Sequence, residues 1–148
     1  MFSKSCEYGI RATLFIISEY YKGNKPGIKE ISNQINSPEA FTAKILQILV
    51  KHEIINSTKG PSGGFSVKKE HISNIKLLDI VKAIDGDSIY EGCILGLPKC
   101  SEHSPCPVHN KFKPIRKQLK DMLTSISVEE LAMNINKGIT FLKYKELI

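Results

Sequence analysis

A chain of 148 residues holds one domain's worth of sequence, and its 41% hydrophobic and 24% charged residues exclude a disordered, collagenous or purely coiled-coil protein. The net charge of +6, from 21 Lys and Arg against 15 Asp and Glu, suits a phosphate-rich partner without requiring one. The most apolar stretch, residues 12–17, is far shorter than the roughly 20 residues of a membrane span; with no readable secretory signal the expected setting is the reducing cytoplasm, where four cysteines serve as ligands or reactive thiols rather than disulfides.

Residues 3–22 read as a first helix, because Tyr8, Ala12, Phe15, Ile16 and Tyr20 share a face at helical spacing and Gly23 can end it. Cys6, inside this helix, reads as a small core hydrophobe. After a breaker at residues 24–27, Ile28, Ile31 and Ile35 predict a short amphipathic helix, interrupted by Asn36, Ser37 and Pro38. Ser37 is the expected N-cap and Pro38 the first position of the next helix. That helix turns Phe41, Ile45, Ile48 and Leu49 inward and leaves Glu39, Ala40, Thr42 and Lys44 nearer the exposed side. Residues 53–58, with Ile54 and Ile55, and residues 65–67 then read as two strands of a hairpin whose tip is Lys59, Gly60, Pro61, Ser62, Gly63 and Gly64. The tip lacks the Gly-Lys-Ser/Thr ending and the following helix of a nucleotide-binding loop.

Helix, helix, helix, hairpin is the order of a winged helix-turn-helix, so the expected fold class is mainly α with a small β-hairpin wing. In that layout the second helix of the pair enters the major groove of double-stranded DNA and the hairpin reaches phosphates or the adjacent minor groove. Charge agrees with this placement: residues 22–69 carry eight lysines against three acids, +5 of the total. The candidate DNA contacts are Lys29, Ser37, Glu39, Ala40, Thr42 and Lys44 from the helices and Lys59, Ser62 and Gly63 from the hairpin. Residues 74–85, with Leu77, Leu78, Ile80, Val81 and Ile84, predict a further helix that stops near Gly86.

Cys93, Cys100, Cys106 and His109 follow with the spacing C-x6-C-x5-C-x2-H, in a segment where Gly92, Gly96, Pro98, Pro105 and Pro107 favour a loop. Three thiolates and an imidazole suit an iron-sulfur cluster or zinc. Structural zinc sites usually take a cysteine pair two to four residues apart; the wider gaps here favour the bulkier cluster and leave zinc as the alternative. Beyond the loop, Phe112, Ile115, Leu119, Met122 and Ile126 are spaced by 3, 4, 3 and 4 residues, a heptad seam that predicts a homodimer presenting two recognition helices. Ser127 and Glu130 form a capping-box signature for a last short helix. No nucleophile–base pair or paired carboxylates suggest an enzyme. The expected division is a DNA-binding unit over residues 1–88, a cluster-binding loop over 89–110, and a dimerisation helix with its tail over 111–148.

Four segments carry a family resemblance: Glu7-Tyr8-Gly9-Ile10-Arg11-Ala12 in the first helix, Lys59-Gly60-Pro61-Ser62-Gly63-Gly64-Phe65 in the wing, Asp79-Ile80-Val81 in the following helix, and the three-cysteine loop before the long helix. Over almost its whole length the chain resembles the bacterial iron-sulfur winged-helix transcriptional regulators of the IscR/NsrR family. The resemblance implies a homodimeric regulator, a repressor by expectation. Its 2Fe-2S or 4Fe-4S cluster, held by Cys93, Cys100 and Cys106, would tune operator binding in response to nitric oxide, redox state or iron-sulfur status. For the fourth ligand the resemblance offers two residues: His109, where one branch has a histidine, and Glu7 from the partner subunit, where the nitric-oxide-sensing branch offers a carboxylate that is often Asp. The first cysteine gap is one residue longer than in the best-known members, which leaves cluster type and signal open.

Overall fold

The first helix, α1 (Lys4–Tyr21), opens where the Ser3 hydroxyl accepts the Cys6 N–H at 3.0 Å, satisfying one of the unpaired N–H groups of a helix start. It closes at Lys22 and Gly23, the latter at φ +80°. The computed structural model describes residues 1–143; residues 144–148, the end of the expected tail, lie outside the described residues. Along α1, Ala12, Ile16 and Ile17 are buried completely, and the helix forms the spine on which the other elements pack.

Helix α2 (Ile28–Ile35) ends when Asn36 takes the left-handed conformation at φ 53°, ψ 53°, and α3 (Glu39–Lys51) follows. Ser37 is not the N-cap that the sequence suggested. The chain enters the helix one residue later, so Pro38 holds the cap position, no side chain caps α3, and the Ser37 hydroxyl lies 3.5 Å from the Pro38 carbonyl. That carbonyl accepts both the N–H and the hydroxyl of Thr42, each at 2.9 Å.

The wing is an antiparallel pair, β1 (Asn56–Thr58) and β2 (Gly64–Ser66), in the register Asn56↔Ser66, Ser57↔Phe65, Thr58↔Gly64. It is shorter than expected at its start, because Ile54 and Ile55 are buried in the core instead of extending the ladder. Gly64 sits at φ +150° with its Cα against the α1–α2 linker; a Cβ there would stand 2.4 Å from the Lys25 carbonyl oxygen, and only glycine permits so close an approach. The Phe65 N–H donates to the Pro26 carbonyl at 2.9 Å, fastening the wing to the same linker.

After the wing come α4 (Lys69–Ile72), α5 (Leu77–Asp85), α6 (Ser88–Glu91), α7 (His109–Ser125) and α8 (Val128–Asn136). Helices α4 and α6 are single turns, too short for an apolar period to reveal, and α5 begins three residues later than the pattern suggested. Helix α8 returns along α1, where Ser18 and Asn136 exchange hydrogen bonds at 2.8 and 3.1 Å and the Tyr21 hydroxyl donates to Glu129. The Ser127 hydroxyl caps α8 by accepting the Glu130 N–H at 3.4 Å. The α7–α8 junction is tied to the approach to α5 by Leu77 N–H to Ile126 carbonyl and Val128 N–H to Ile75 carbonyl bonds, both 3.1 Å.

Two apolar clusters result. The larger joins α1, α2, α3 and α8 through residues such as Ile16, Ile31, Ile45 and Leu49; the smaller gathers Cys6, Leu77, Val81, Tyr90 and Leu123 where α1, α5, α6 and α7 meet. Leu123 is the one fully buried apolar side chain of α7 among the described residues, and its burial, worth about 1.5–3 kcal/mol, anchors that long helix to the rest.

Candidate nucleic-acid interface and cysteine centre

The helix pair and the wing place most of the predicted contact residues at the surface. Lys29, Glu39, Ala40, Lys44, Lys59 and Ser62 are exposed, and Ser37 and Gly63 are half-buried. Thr42 departs from expectation. It is 0% exposed, and its hydroxyl is spent on the Pro38 carbonyl one turn earlier in α3, so it stabilises the start of the helix from inside and has no face toward a partner. The tip of the wing is closed by the Gly63 N–H donating to the Gly60 carbonyl at 2.9 Å. A Cβ on Gly63 would stand 2.2 Å from the Thr58 carbonyl oxygen, so the turn needs glycine there for space.

The start of α3 is held against α1 by an aromatic contact. The Tyr8 and Phe41 rings meet edge to face with centroids 5.6 Å apart, and the Arg11 guanidinium lies 4.9 Å from the Tyr8 centroid. Arg11 also lines a polar cleft of about 330 Å³ with Asn33, Gln34 and Asn36, next to the α2–α3 turn.

In the loop between α6 and α7, Cys93, Cys100, Cys106 and His109 line one narrow cleft of about 10 Å³, together with Lys113 and Arg116 of α7. They occur there as two contacting pairs. The Cys100 Sγ lies 3.3 Å from the His109 Nδ1, and the thiols of Cys93 and Cys106 are hydrogen-bonded to each other. Backbone N–H groups of Leu97 and Leu95, directed at the Cys93 sulfur, hold its thiol below the ordinary range, with the Cys106 hydrogen bond acting in the same sense. His109 is buried as the first residue of α7, while the three cysteines stay half-buried. Among the described residues no three Cys, His, Asp or Glu side chains already surround a single point as a metal-ion site.

The remaining cysteine behaves differently. Cys6 is 0% exposed, and burial together with the nearby Asp85 pushes its thiol up to about 12, so it stays protonated within the core. Glu7 is on the surface of α1, paired with Lys4 at 3.4 Å, and is not part of the lining of the cleft.

The predicted dimer seam divides on α7. Ile115 is 59% and Met122 38% exposed, whereas Phe112, Leu119 and Ile126 are half-buried. Between α6 and α7 an apolar groove of about 630 Å³ is lined by Phe112, Ile115, Leu119 and Met122 with Ile89 and Ile94. It adjoins a smaller apolar cleft lined by Ile94, Leu95, Val108, Phe112 and Ile115.

The profile of the Rrf2 family, described as iron-dependent transcriptional regulators, matches residues 2–134. This chain belongs to the Rrf2 family. It is 32% identical over 143 residues to a protein of Aquifex aeolicus named as an HTH-type transcriptional regulator, covering 95% of this chain and 96% of that one. It is 25% identical over 127 residues to the HTH-type transcriptional regulator IscR of Photorhabdus laumondii, covering 86% and 76% of the two chains. Among solved structures, IscR of T. potens superposes with a TM-score of 0.72 at 16% identity over 95% of this chain and 91% of that one. CymR, the global cysteine regulator of B. subtilis, superposes with a TM-score of 0.71 at 20% identity over 90% and 96%. These likenesses bear out the winged-helix fold, and the family assignment makes this Rrf2 protein a DNA-binding transcriptional regulator rather than an enzyme. None of its described helices is long and apolar enough to cross a membrane.

Two features of this Rrf2 regulator escape a reading of the sequence. Arg11 carries no apolar period that would mark it, yet it stacks on Tyr8 one turn earlier in α1, on the ring that also meets Phe41 of α3. Arg116 falls on the charged side of a heptad, yet its Nη1 donates to the Gly92 carbonyl at 2.8 Å, directly beside Cys93.

Proposed function

We propose that this Rrf2 protein is a homodimeric, operator-binding repressor whose affinity for DNA follows the occupancy of an iron-sulfur cluster in the loop between α6 and α7. The observation that carries the reading is the donor set on the cleft wall, three thiols and one buried imidazole with two cations beside them. That set fits the soft, anionic ligation such a cluster requires. Cys93, Cys100 and Cys106 would hold it. His109 is the preferred fourth ligand, because its ring already faces the Cys100 sulfur; Glu7, supplied from a second subunit, is the alternative. When bound, the cluster supplies an inorganic centre that nitric oxide, oxidation or iron shortage can remove.

The chain's own residues supply the coupling. The loop abuts α7, and the exposed Ile115 and Met122 with the adjoining groove offer an apolar seam to a second copy. A two-fold dimer along that seam presents two α3 helices and two wings to successive grooves. Lys29, Ser37, Glu39, Ala40 and Lys44 face the major groove, and Lys59, Ser62 and Gly63 reach the backbone. Occupancy of the loop changes DNA affinity by as much as it favours one spacing of these two heads over another.

The test is anaerobic purification or reconstitution, followed by visible absorption, iron and acid-labile sulfide analysis, and titration with duplex DNA before and after nitric oxide. The expected result is a coloured dimer with both iron and sulfide, whose DNA affinity changes as the colour is lost. Cys100→Ala should be colourless and folded by far-ultraviolet circular dichroism. A reconstituted parent chain that stays colourless and sulfide-free refutes the reading, and one equivalent of zinc in its place identifies a structural metal site without sensing.

A further inference from the structure

We infer that Arg116 is the positioning residue that holds Cys93 in place for ligation and ties it to the dimer seam; this rests on the reading of the loop as a cluster site. The cysteines of the loop are anchored from two places on α7. Cys100 and Cys106 are both fixed by the first residue of α7: the His109 ring meets the Cys100 sulfur at 3.3 Å, and the His109 N–H donates to the Cys106 carbonyl at 3.0 Å. Cys93 lies at the other end of the loop and meets that anchor only through its side chain, at Cys106. Its backbone is held by Arg116, whose Nη1 donates at 2.8 Å to the carbonyl of Gly92, the oxygen of the peptide unit that also contains the Cys93 N–H.

His109 and Arg116 are seven residues apart on α7, two turns along one face, so one helix, with Pro114 between the two, meets both ends of the ligand loop. Lys113 lies between them on that face and pairs with Glu102 in the middle of the loop. On its other side Gly92 is fastened to α6, where its N–H donates to the Ser88 carbonyl at 2.9 Å. A Cβ at Gly92 would stand 2.5 Å from that oxygen, so this close approach of the chain to α6 requires glycine. The Gly96 N–H then closes a turn onto the Cys93 carbonyl at 3.0 Å. Arg116 lines both the cysteine cleft and the apolar groove that contains Ile115 and Leu119, so one half-buried side chain touches the ligand loop and the seam at once.

The experiment compares the parent chain with Arg116→Ala, Arg116→Lys and, as a control, Lys117→Ala, whose ammonium pairs within the helix with Asp121. In the cluster-free protein, hydrogen exchange is followed at residues 92–97. In the reconstituted protein, visible circular dichroism and the rate of iron transfer to a colorimetric chelator are measured. Arg116→Ala should speed exchange in that segment, alter the visible dichroism and release iron about tenfold faster, a typical loss for a residue that orients a ligand. Arg116→Lys should recover part of each effect, and Lys117→Ala should match the parent. Iron release within about twofold of the parent, or unchanged exchange at residues 92–97, overturns the inference even if the parent is coloured. A parent chain that takes up neither iron nor sulfide overturns the cluster reading itself and removes the ligand role from Arg116, so the two failures are told apart by the parent's spectrum.

Discussion

Lys59 begins the tip of the wing, is exposed, and pairs with no acid among the described residues, unlike Lys22, Lys113, Lys117 and Lys120. Its charge is therefore available to a phosphate. Each phosphate neutralised on duplex DNA contributes about 0.9 to the slope of log affinity against log salt concentration, so two wings in a dimer contribute about 1.8. Raising salt from about 50 to about 200 mM is a fourfold change, and fourfold to the power of about 1.8 is about twelvefold. Lys59→Ala should therefore bind more weakly than the parent at low salt, with that deficit shrinking about twelvefold across the range, equivalent to about 1.5 kcal/mol. Fluorescence anisotropy with a labelled duplex of mixed sequence is sufficient, because non-specific binding is almost wholly electrostatic. Lys117→Ala serves as the control for loss of one positive charge elsewhere. A deficit that stays constant with salt, or a slope shared by Lys59→Ala and the parent, refutes the wing contact.

Thr42→Val keeps the volume of a buried side chain and removes the hydroxyl bond to Pro38; it should cost about 1 kcal/mol in urea unfolding and leave the DNA affinity of the folded protein unchanged, whereas Lys44→Ala should weaken binding with little effect on stability. Leu123→Ala should cost about 2–5 kcal/mol by opening a cavity under α7, while Ile115→Glu should leave the stability of the subunit nearly intact and shift sedimentation from dimer to monomer. The Cys6 thiol is raised from 9.0 to about 12 by burial, with Asp85 adding to the effect, so the folded state retains a proton that the unfolded chain gives up. Its contribution to stability is complete below about pH 9 and is lost as pH rises toward about 12; unfolding of the parent should therefore show a steeper fall over that range than unfolding of Cys6→Ala.

Much of this architecture is legible in the sequence because it depends on period. Ile28, Ile31 and Ile35 mark α2, Gly23 marks the end of α1, and the glycine-rich tip marks the wing, since each reflects a local rule of backbone geometry. Thr42 shows where reading by residue type misleads. Its polarity suggests an outward position, yet residues 42, 45, 46 and 49 form the inward face of α3, and spacing alone would have placed it there with Leu46. On α7 the heptad pattern draws attention to Met122, while the residue that enters the core is Leu123. The choice depends on where α5 and α6 stand beside α7, and no local pattern encodes that. The cysteine loop is recognisable by composition. Its anchoring to His109 and Arg116 is a tertiary arrangement, invisible until α7 is laid against the loop.

The distribution of burial explains why α7 would carry the proposed coupling. In the loop the three cysteines are only half-buried, and Ile94, Leu95 and Leu97 are exposed, so little apolar surface holds this segment in a fixed shape. Segments with few buried contacts open at low free energy, and their conformation is set by whichever specific contacts they make. Here those contacts run to α7: His109 to two cysteines, Lys113 to Glu102, Arg116 to the peptide of Cys93, and Lys120 to Glu91 at the end of α6. Helix α7 in turn is fixed to the core chiefly near its far end, at Leu123, while Ile115 in its middle faces outward. On the proposed reading, a group that draws the loop's sulfurs together would act on the lightly held half of α7, whose other half is seated in the core at Leu123. In the proposed dimer, a rotation small enough to leave Leu123 seated would change how Ile115 and Met122 meet a second copy, and with it the separation of the two α3 helices.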